Sequence, residues 1–258
     1  MNIVRFKADG KIRYGVLEGN HVAEFSGTPF GRFKRGRKKF PAKQVVLLVP
    51  TVPSKVVAVG RNYRDHAEEM GAAVPKEPIL FIKPSTSIVG PGDPVVYPPL
   101  SSRVDFEAEL AVVIGKRCRS VPAERAREYI LGYSCLNDVT ARDLQRSDGQ
   151  WTRGKSFDTF CPLGPCIATD IDPNAVAIEC YVNGERKQAS NTAHLIFPVE
   201  DLVSRISRVM TLLPGDVIAT GTPAGVGPVQ PGDKIEIRIE GIGSLMNPVV
   251  RIQEDASA

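Results

Sequence analysis

The sequence is poor in histidine, with only His21, His66 and His194 among its 258 residues. A transition-metal site built on imidazoles is therefore excluded, and any bound metal has to be held mainly by oxygen. The five cysteines, Cys118, Cys135, Cys161, Cys166 and Cys180, are odd in number and include no Cys-x-x-Cys pair. That argues against a disulfide framework and for reduced thiols. No apolar run approaches the roughly 20 residues of a membrane-spanning helix. The opening Met-Asn-Ile-Val-Arg-Phe-Lys lacks the apolar core of a signal peptide. The expectation is a cytoplasmic protein with no membrane partner.

What is present is ordinary in bulk and uneven in detail. A content of 42% hydrophobic and 24% charged residues suits a globular protein of one large domain, or a large one with a small one. The net charge of +4 is mild. It is concentrated at residues 31 to 40, "GRFKRGRKKF", with six Lys or Arg and two Phe. Such a run reads either as a phosphate-binding patch or as a solvated loop. The loop is the preferred reading, because the run is short and no nucleic-acid-binding signature accompanies it; no polynucleotide partner is expected.

Read for organisation, the chain opens with short strands at Asn2 to Lys7, Arg13 to Glu18 and His21 to Phe25. Two prolines in "LLVPTVPSKVVAVG" punctuate a boundary near residue 50. Strand signals then dominate, in "KVVAVG", "PILFIKP", "DPVVYP", "DVIATG" and "DKIEIRIEG". Residues 180 to 186 form a hairpin, since Asn183-Gly184 supplies the positive φ angles of a two-residue turn. "PGD" at 91–93, 214–216 and 231–233 marks turns at irregular spacing. One helix is clear, opened by Pro198, with Val199, Leu202, Val203, Ile206, Val209 and Met210 on one face. The fold class is a β-rich α+β protein: a small N-terminal β module over 1–50 and a larger domain over 51–258.

The chemistry starts in "RVDFEAELAVVIG", residues 103 to 115, which reads as one strand. Glu107 and Glu109 would share a face, opposite Phe106, Ala108 and Leu110, and residues 111 to 114 would be buried on both faces. Two adjacent carboxylates repel each other. Solvent on an exposed edge strand is one resolution; a divalent cation such as Mg²⁺, which prefers carboxylate oxygens, is the other. Asp138, in "GYSCLNDVTARDLQ", is placed either to complete such a site or to cap the helix-like run that follows.

Six segments in order, "VVAVGRNYRDHAEEMG", "FIKPSTSIVGPGD", "VDFEAELAVVIG", "GYSCLNDVTARDLQ", "WTRGKSFDTFCPLGP" and "VIATGTPAGVG", resemble the fumarylacetoacetate hydrolase superfamily over roughly residues 55 to 250. The likeness is to its bacterial acylpyruvate hydrolase, oxaloacetate decarboxylase and 2-hydroxyhepta-2,4-diene-1,7-dioate isomerase-like branch. The resemblance implies a mixed β-sandwich roll, a homodimer, and Mg²⁺ or Mn²⁺ held by Glu107, Glu109 and Asp138. It implies small 2-oxo or dicarboxylic acid substrates, chelated by the cation through carboxylate and 2-oxo oxygens, with Lys155 stabilising an enolate. Arg142 and Gln145, four and seven residues after Asp138, would share a helical face with it; the resemblance makes them substrate-orienting, and ordinary helix polars are the alternative. Thr222, in the glycine-rich "TGTPAGVG", would contact the substrate carboxylate; without a Gly-Lys-Ser/Thr ending that segment is not a phosphate loop. His66 and Glu69, three apart on one helical turn that Gly71 ends, form a general acid–base pair or a surface ion pair. In relatives this segment behaves as a lid.

Two function classes follow. One is an enzyme that hydrolyses or decarboxylates a C–C bond of acylpyruvate-type acids, or isomerises an enol to its keto form as in 5-carboxymethyl-2-hydroxymuconate metabolism in aromatic catabolism. The other is a non-catalytic basic-patch binding protein on the same fold. The three acids, the lysine and the His–Glu pair favour the enzyme. Asp138→Ala is expected to lose the metal without unfolding, by relieving carboxylate repulsion.

Overall fold

In a computed structural model, residues 1–69, 71 and 73–251 are described; the last seven residues of the domain expected over 51–258 lie outside them. The described residues are strand-rich and build three sheets. The largest has 12 strands; ten form a path, Phe33–Pro41, His21–Gly27, Lys11–Glu18, Asn2–Ala8, Cys161–Ala168, Ile130–Asn137, Ala108–Ile114, Val217–Ala219, Val56–Gly60 and Ile79–Lys83, while Val46–Leu48 pairs with Asn2–Ala8 and Ile88–Val89 with Cys161–Ala168 off it. Most neighbours are antiparallel, but Val217–Ala219 runs parallel to Val56–Gly60, so the sheet is mixed. A five-stranded sheet (Glu185–Asn191, Ala177–Val182, Lys234–Ile239, Gly243–Val250, Val95–Val96) packs on one face, as the apolar cluster shared by Leu110, Val112, Ile178, Ile237 and Leu245 shows. A second cluster, including Ala111, Val113, Leu163 and Ile167, lies on the other face. Alternation explains the split: even and odd residues of Ala108–Ile114 point to opposite faces, both covered. This is the β-rich α+β architecture expected, with residues 111–114 buried on both sides.

Among the described residues four α-helices join the sheets: α1 (Arg64–Glu69), α2 (Arg142–Asp148), α3 (Thr152–Lys155) and α4 (Val199–Val209). α4 begins after Pro198 and buries Val199, Leu202, Val203 and Ile206 as its periodicity predicts. Val209, expected on that face, is 64% exposed, because the helix ends there and its last turn leaves the core. The hairpin forms as expected, with Asn183 at φ 53° and Gly184 at φ 83°. All five cysteines are buried and unpaired. None of the helices among the described residues is long and apolar enough to cross a membrane.

Two expectations are corrected. The basic run is not a loop: Phe33–Pro41 is an edge strand of the large sheet, paired with His21–Gly27. Its side chains alternate poorly in hydrophobicity, so pairing with its neighbour, and not its own pattern, makes it a strand. The stretch 103–115 is also not one strand. It breaks at Glu107: Val104–Phe106 pairs with Thr140–Ala141 and Gly227–Val229 in a three-stranded sheet, while Ala108–Ile114 enters the large one.

Candidate active site

The break at Glu107 is what builds the site. The Glu107 N–H donates to Asn137 Oδ1 (2.9 Å), and the Glu107 carbonyl accepts from the Asp138 N–H (2.9 Å). Two acids 31 positions apart are thereby fixed side by side where both strands leave the large sheet. Glu109 stays within the sheet, opposite Leu136. One carboxylate oxygen each from Glu107, Glu109 and Asp138 lies within 4.8 Å of the other two. All three residues are buried, so the exposed-edge reading of the pair fails. Asp138 does not cap α2 either, whose N-cap position is Ala141.

Buried cations surround the acids. The Lys155 ammonium reaches Glu107 Oε2 (2.8 Å) and Asp138 Oδ2 (2.5 Å). The Lys83 ammonium reaches Asp138 Oδ1 (2.5 Å) and the Val139 carbonyl (3.2 Å). Arg142 pairs with Glu107 and, through Nε, with Asp105 (2.9 Å). Three buried cations thus face Asp105, Glu107 and Asp138, which leaves Glu109 as the carboxylate without a cation of its own. Its hydrogen bond comes from the Gly221 N–H (2.8 Å). Burial, with Asp138 and Glu107 beside it, pushes the Glu109 carboxyl well above the usual carboxylate range. Burial acts on Glu107 in the same direction, but Lys155 and Arg142 outweigh it and hold that carboxyl below the range. Lys155 loses by burial and gains more from Asp138 and Glu107, so its ammonium is held above its ordinary pKa.

A cavity of about 300 Å³ opens onto this cluster. Eight of the nine residues singled out from sequence line it: His66, Glu107, Glu109, Asp138, Arg142, Gln145, Lys155 and Thr222. The ninth, Glu69, sits behind His66, with Oε2 3.0 Å from Nδ1. An acceptor at Nδ1 places the imidazole proton there and leaves the Nε2 lone pair available. Glu69 Oε1 also accepts from the Gly225 N–H (3.0 Å), which ties α1 to the glycine-rich 220–227 segment. That segment is an irregular loop beside the site, ending in the strand Gly227–Val229. Gln145 Oε1 accepts from Arg142 Nη1 (2.6 Å), and Thr222 Oγ1 accepts from Gln188 Nε2 (2.8 Å). The Gln145 amide and the Thr222 hydroxyl proton are left to donate into the cavity. Asp138 is not on α2, so the helical-face argument for Arg142 and Gln145 fails, although both reach the cavity from the first turns of α2.

Sequence reasoning missed Lys83 and Asp105. Lys83 ends the apolar strand Ile79–Lys83, and a lysine closing such a run before a proline was the available signal. Asp105 continues the two-residue spacing of Glu107 and Glu109, but Arg103 and Arg142 take up its oxygens.

Residues 55–250 match the family described as Fumarylacetoacetate (FAA) hydrolase C-terminal, and residues 1–50 match one described as Rv2993c-like, N-terminal. The chain is 48% identical over 222 residues to the oxaloacetate tautomerase Fahd2a, mitochondrial, of Rattus norvegicus, covering 81% of this chain and 71% of that protein. It resembles the crystal structure of 5-carboxymethyl-2-hydroxymuconate delta-isomerase from Mycobacterium smegmatis with TM-score 0.92 and 47% identity, over 98% of this chain and all of that one (100%). Maleylpyruvate hydrolase from Sphingobium sp. SYK-6, solved with manganese(II) and pyruvate, is similar at TM-score 0.82 and 34% identity, covering 98% of this chain and 100% of the other.

Proposed function

Because the chain belongs to the fumarylacetoacetate hydrolase family, we propose that it is a divalent-cation-dependent enzyme that interconverts the keto and enol forms of small 2-oxo carboxylic acids. Sequence reasoning alone put hydrolysis or decarboxylation first. The weight moves to isomerisation because relatives at 47% and 48% identity are named as an isomerase and a tautomerase. The observation that supports it best within the chain is the shared cavity, where three acids, a buried ammonium and a carboxylate-backed imidazole meet.

The residues fit a hard cation. Among the described residues Glu109 is a buried carboxylate with no salt-bridge partner, and it stands within reach of two more carboxylates. All the donors are oxygen, which suits Mg²⁺ or Mn²⁺. Glu107, Glu109 and Asp138 would hold the ion, which when bound supplies Lewis-acid polarisation of the 2-oxo group. The Gln145 amide and the Thr222 hydroxyl orient the substrate carboxylate. His66 Nε2 takes a proton from C3 while the C–H electron pair forms the C2=C3 bond and the carbonyl π pair moves onto oxygen. Glu69 stabilises the imidazolium, and the Lys155 ammonium offsets the negative charge that develops on the substrate. Returning the proton to that oxygen gives the enol; the reverse sequence gives the keto acid.

The hydrolase likeness favours a second reading at the same site, in which His66 takes its proton from water that attacks the distal carbonyl of an acylpyruvate. One experiment separates the two. Enol disappearance with oxaloacetate, followed by absorbance, and cleavage of an acylpyruvate, followed by product analysis, are measured side by side. We expect enol–keto conversion to dominate and His66→Ala to reduce it about 10²–10⁴-fold, the usual contribution of a positioned general base. Cleavage without accelerated enol–keto conversion would overturn the isomerase reading, and full activity of His66→Ala would overturn the role of the dyad.

A further inference from the structure

Gln188 is the one buried side chain of its strand. The other six residues of Glu185–Asn191 are exposed or partly so, while Gln188 is 1% exposed. Burying an amide costs free energy unless its polar groups find partners. The strand is shaped to bring it inside. Cys180 faces Gln188 but Tyr181 faces Arg186, so Lys187 has no opposite residue, and such a bulge re-aims the side chain beside it. The glycine-rich loop closes over the bulge. At Gly225, with φ 96°, a methyl group would fall 2.4 Å from the Lys187 carbonyl oxygen.

Both ends of the amide are engaged. Gln188 Oε1 accepts from the Ala108 N–H (3.0 Å), and Nε2 donates to Thr222 Oγ1 (2.8 Å) and to the Pro223 carbonyl (2.8 Å). These partners fix which end is which. A backbone N–H only donates and a proline carbonyl only accepts, so the oxygen has to face Ala108 and the nitrogen Pro223. The nitrogen has no lone pair to offer, so Thr222 Oγ1 must accept from it and point its own proton elsewhere. Thr222 lines the cavity and makes no other side-chain hydrogen bond among the described residues. At its other end the amide reaches the acids. Ala108 lies between Glu107 and Glu109, and at this break two successive N–H groups donate to side-chain oxygens, Glu107 to Asn137 Oδ1 (2.9 Å) and Ala108 to Gln188. One side chain of the five-stranded sheet thus ties the Glu-x-Glu backbone to Thr222.

We propose that Gln188 is a positioning residue. By donating to Thr222 Oγ1 it turns the Thr222 proton toward the substrate carboxylate, and by accepting from Ala108 it holds that donor in fixed register with Glu107 and Glu109. This rests on the 2-oxo acid reading of the cavity. A free threonine hydroxyl rotates and can donate or accept, whereas a carboxylate can use it only as a donor. A hydroxyl whose lone pair is already taken by an amide is set for that one role before the substrate arrives.

The test uses the full chain. Pyruvate is titrated by calorimetry with Mg²⁺ present, and Mn²⁺ binding is measured separately by electron paramagnetic resonance. Gln188→Met keeps the volume and removes the amide; Thr222→Val removes the hydroxyl. Each is expected to weaken pyruvate binding about tenfold, the scale of one hydrogen bond to a charged group. In the Thr222→Val background, Gln188→Met should add less than about a threefold loss, because the hydroxyl it acts through is gone. Mn²⁺ affinity should fall less than pyruvate affinity in every variant. Independent, multiplying losses would overturn the proposal, and so would unchanged pyruvate binding in Gln188→Met. Equal loss of Mn²⁺ and pyruvate would also overturn it, since Gln188 would then act on the metal-binding floor or the fold. Gln188→Glu keeps an acceptor for Ala108 and, ionised, lacks both donors; the same cycle run with it reads the coupling if Gln188→Met does not fold. A wild type that binds no pyruvate would overturn the 2-oxo acid reading and this proposal together, whereas wild-type binding with uncoupled losses overturns the role of Gln188 alone.

Discussion

Lys83 and Glu109 occupy opposite sides of one charge balance. Lys83 is fully buried, and its ammonium is one of two on Asp138. Removing one partner of a buried pair leaves the other charge uncompensated, so Lys83→Met should lower the stability of the metal-free protein by about 3 kcal/mol, read by denaturant unfolding. Glu109→Gln should do the reverse. It keeps an acceptor for the Gly221 N–H, removes a carboxyl that burial and two acids disfavour, and leaves the metal-free protein no less stable while weakening Mn²⁺ binding. Loss of stability in Glu109→Gln would show that the carboxylate has a partner not accounted for. The same balance corrects the sequence-based expectation for Asp138→Ala. That change would leave the buried Lys83 ammonium without its carboxylate and Lys155 with Glu107 alone, so it should destabilise the fold as well as lose the metal. The Glu-x-Glu pair was legible because the two acids are close in sequence. The Lys83–Asp138 pair was not, since 55 positions separate them and only the sheet brings them together.

Elements that carry their own periodicity were the ones legible in advance. α4 has its apolar stripe and the 180–186 hairpin its Asn-Gly turn. The strand Phe33–Pro41 has neither, and exists because His21–Gly27 offers it a ladder. As an exposed edge it is protected by Lys and Arg, three of which pair with Glu18 and Asp9. Neutralising Arg35, Arg37, Lys38 and Lys39 should leave kcat nearly unchanged, since none of them lines the cavity, but should increase self-association measured by light scattering. A steep fall in kcat, or salt-sensitive nucleic-acid binding by the wild type, would contradict this reading. α2 is anchored differently. Asp143 accepts from the Ser101 hydroxyl (2.7 Å) and from the Ser102 N–H and hydroxyl (both 2.8 Å). Burial raises its pKa, but these hydrogen bonds outweigh it and bring it down to about 2, from 3.8. A depressed folded-state pKa contributes stability that is present above the unfolded value and lost as pH falls toward the folded one. The stability difference between wild type and Asp143→Asn should therefore shrink as pH drops from about 4 to about 2; a constant difference would mean that the charge is not what anchors the turn.

At the scale of the whole molecule, how the first 50 residues join the rest was not legible in the sequence. Asn2–Ala8 pairs with Cys161–Ala168, so the N-terminal strands extend the large sheet and do not form a separate one. The site lies elsewhere in that sheet, where Ala108–Ile114 and Ile130–Asn137 leave it together. Nothing in the local pattern of residues 103–115 announced the break, because both halves are apolar enough to continue as one strand; competition between two sheets for the same segment decides it. If these converging acids hold a divalent cation on which enol–keto conversion depends, exhaustive chelation with EDTA, followed by re-addition of Mg²⁺ or Mn²⁺ while the decay of enol-oxaloacetate is monitored, should lower the catalysed rate to the uncatalysed one and then restore it with either ion. Full activity in the chelated protein would contradict it.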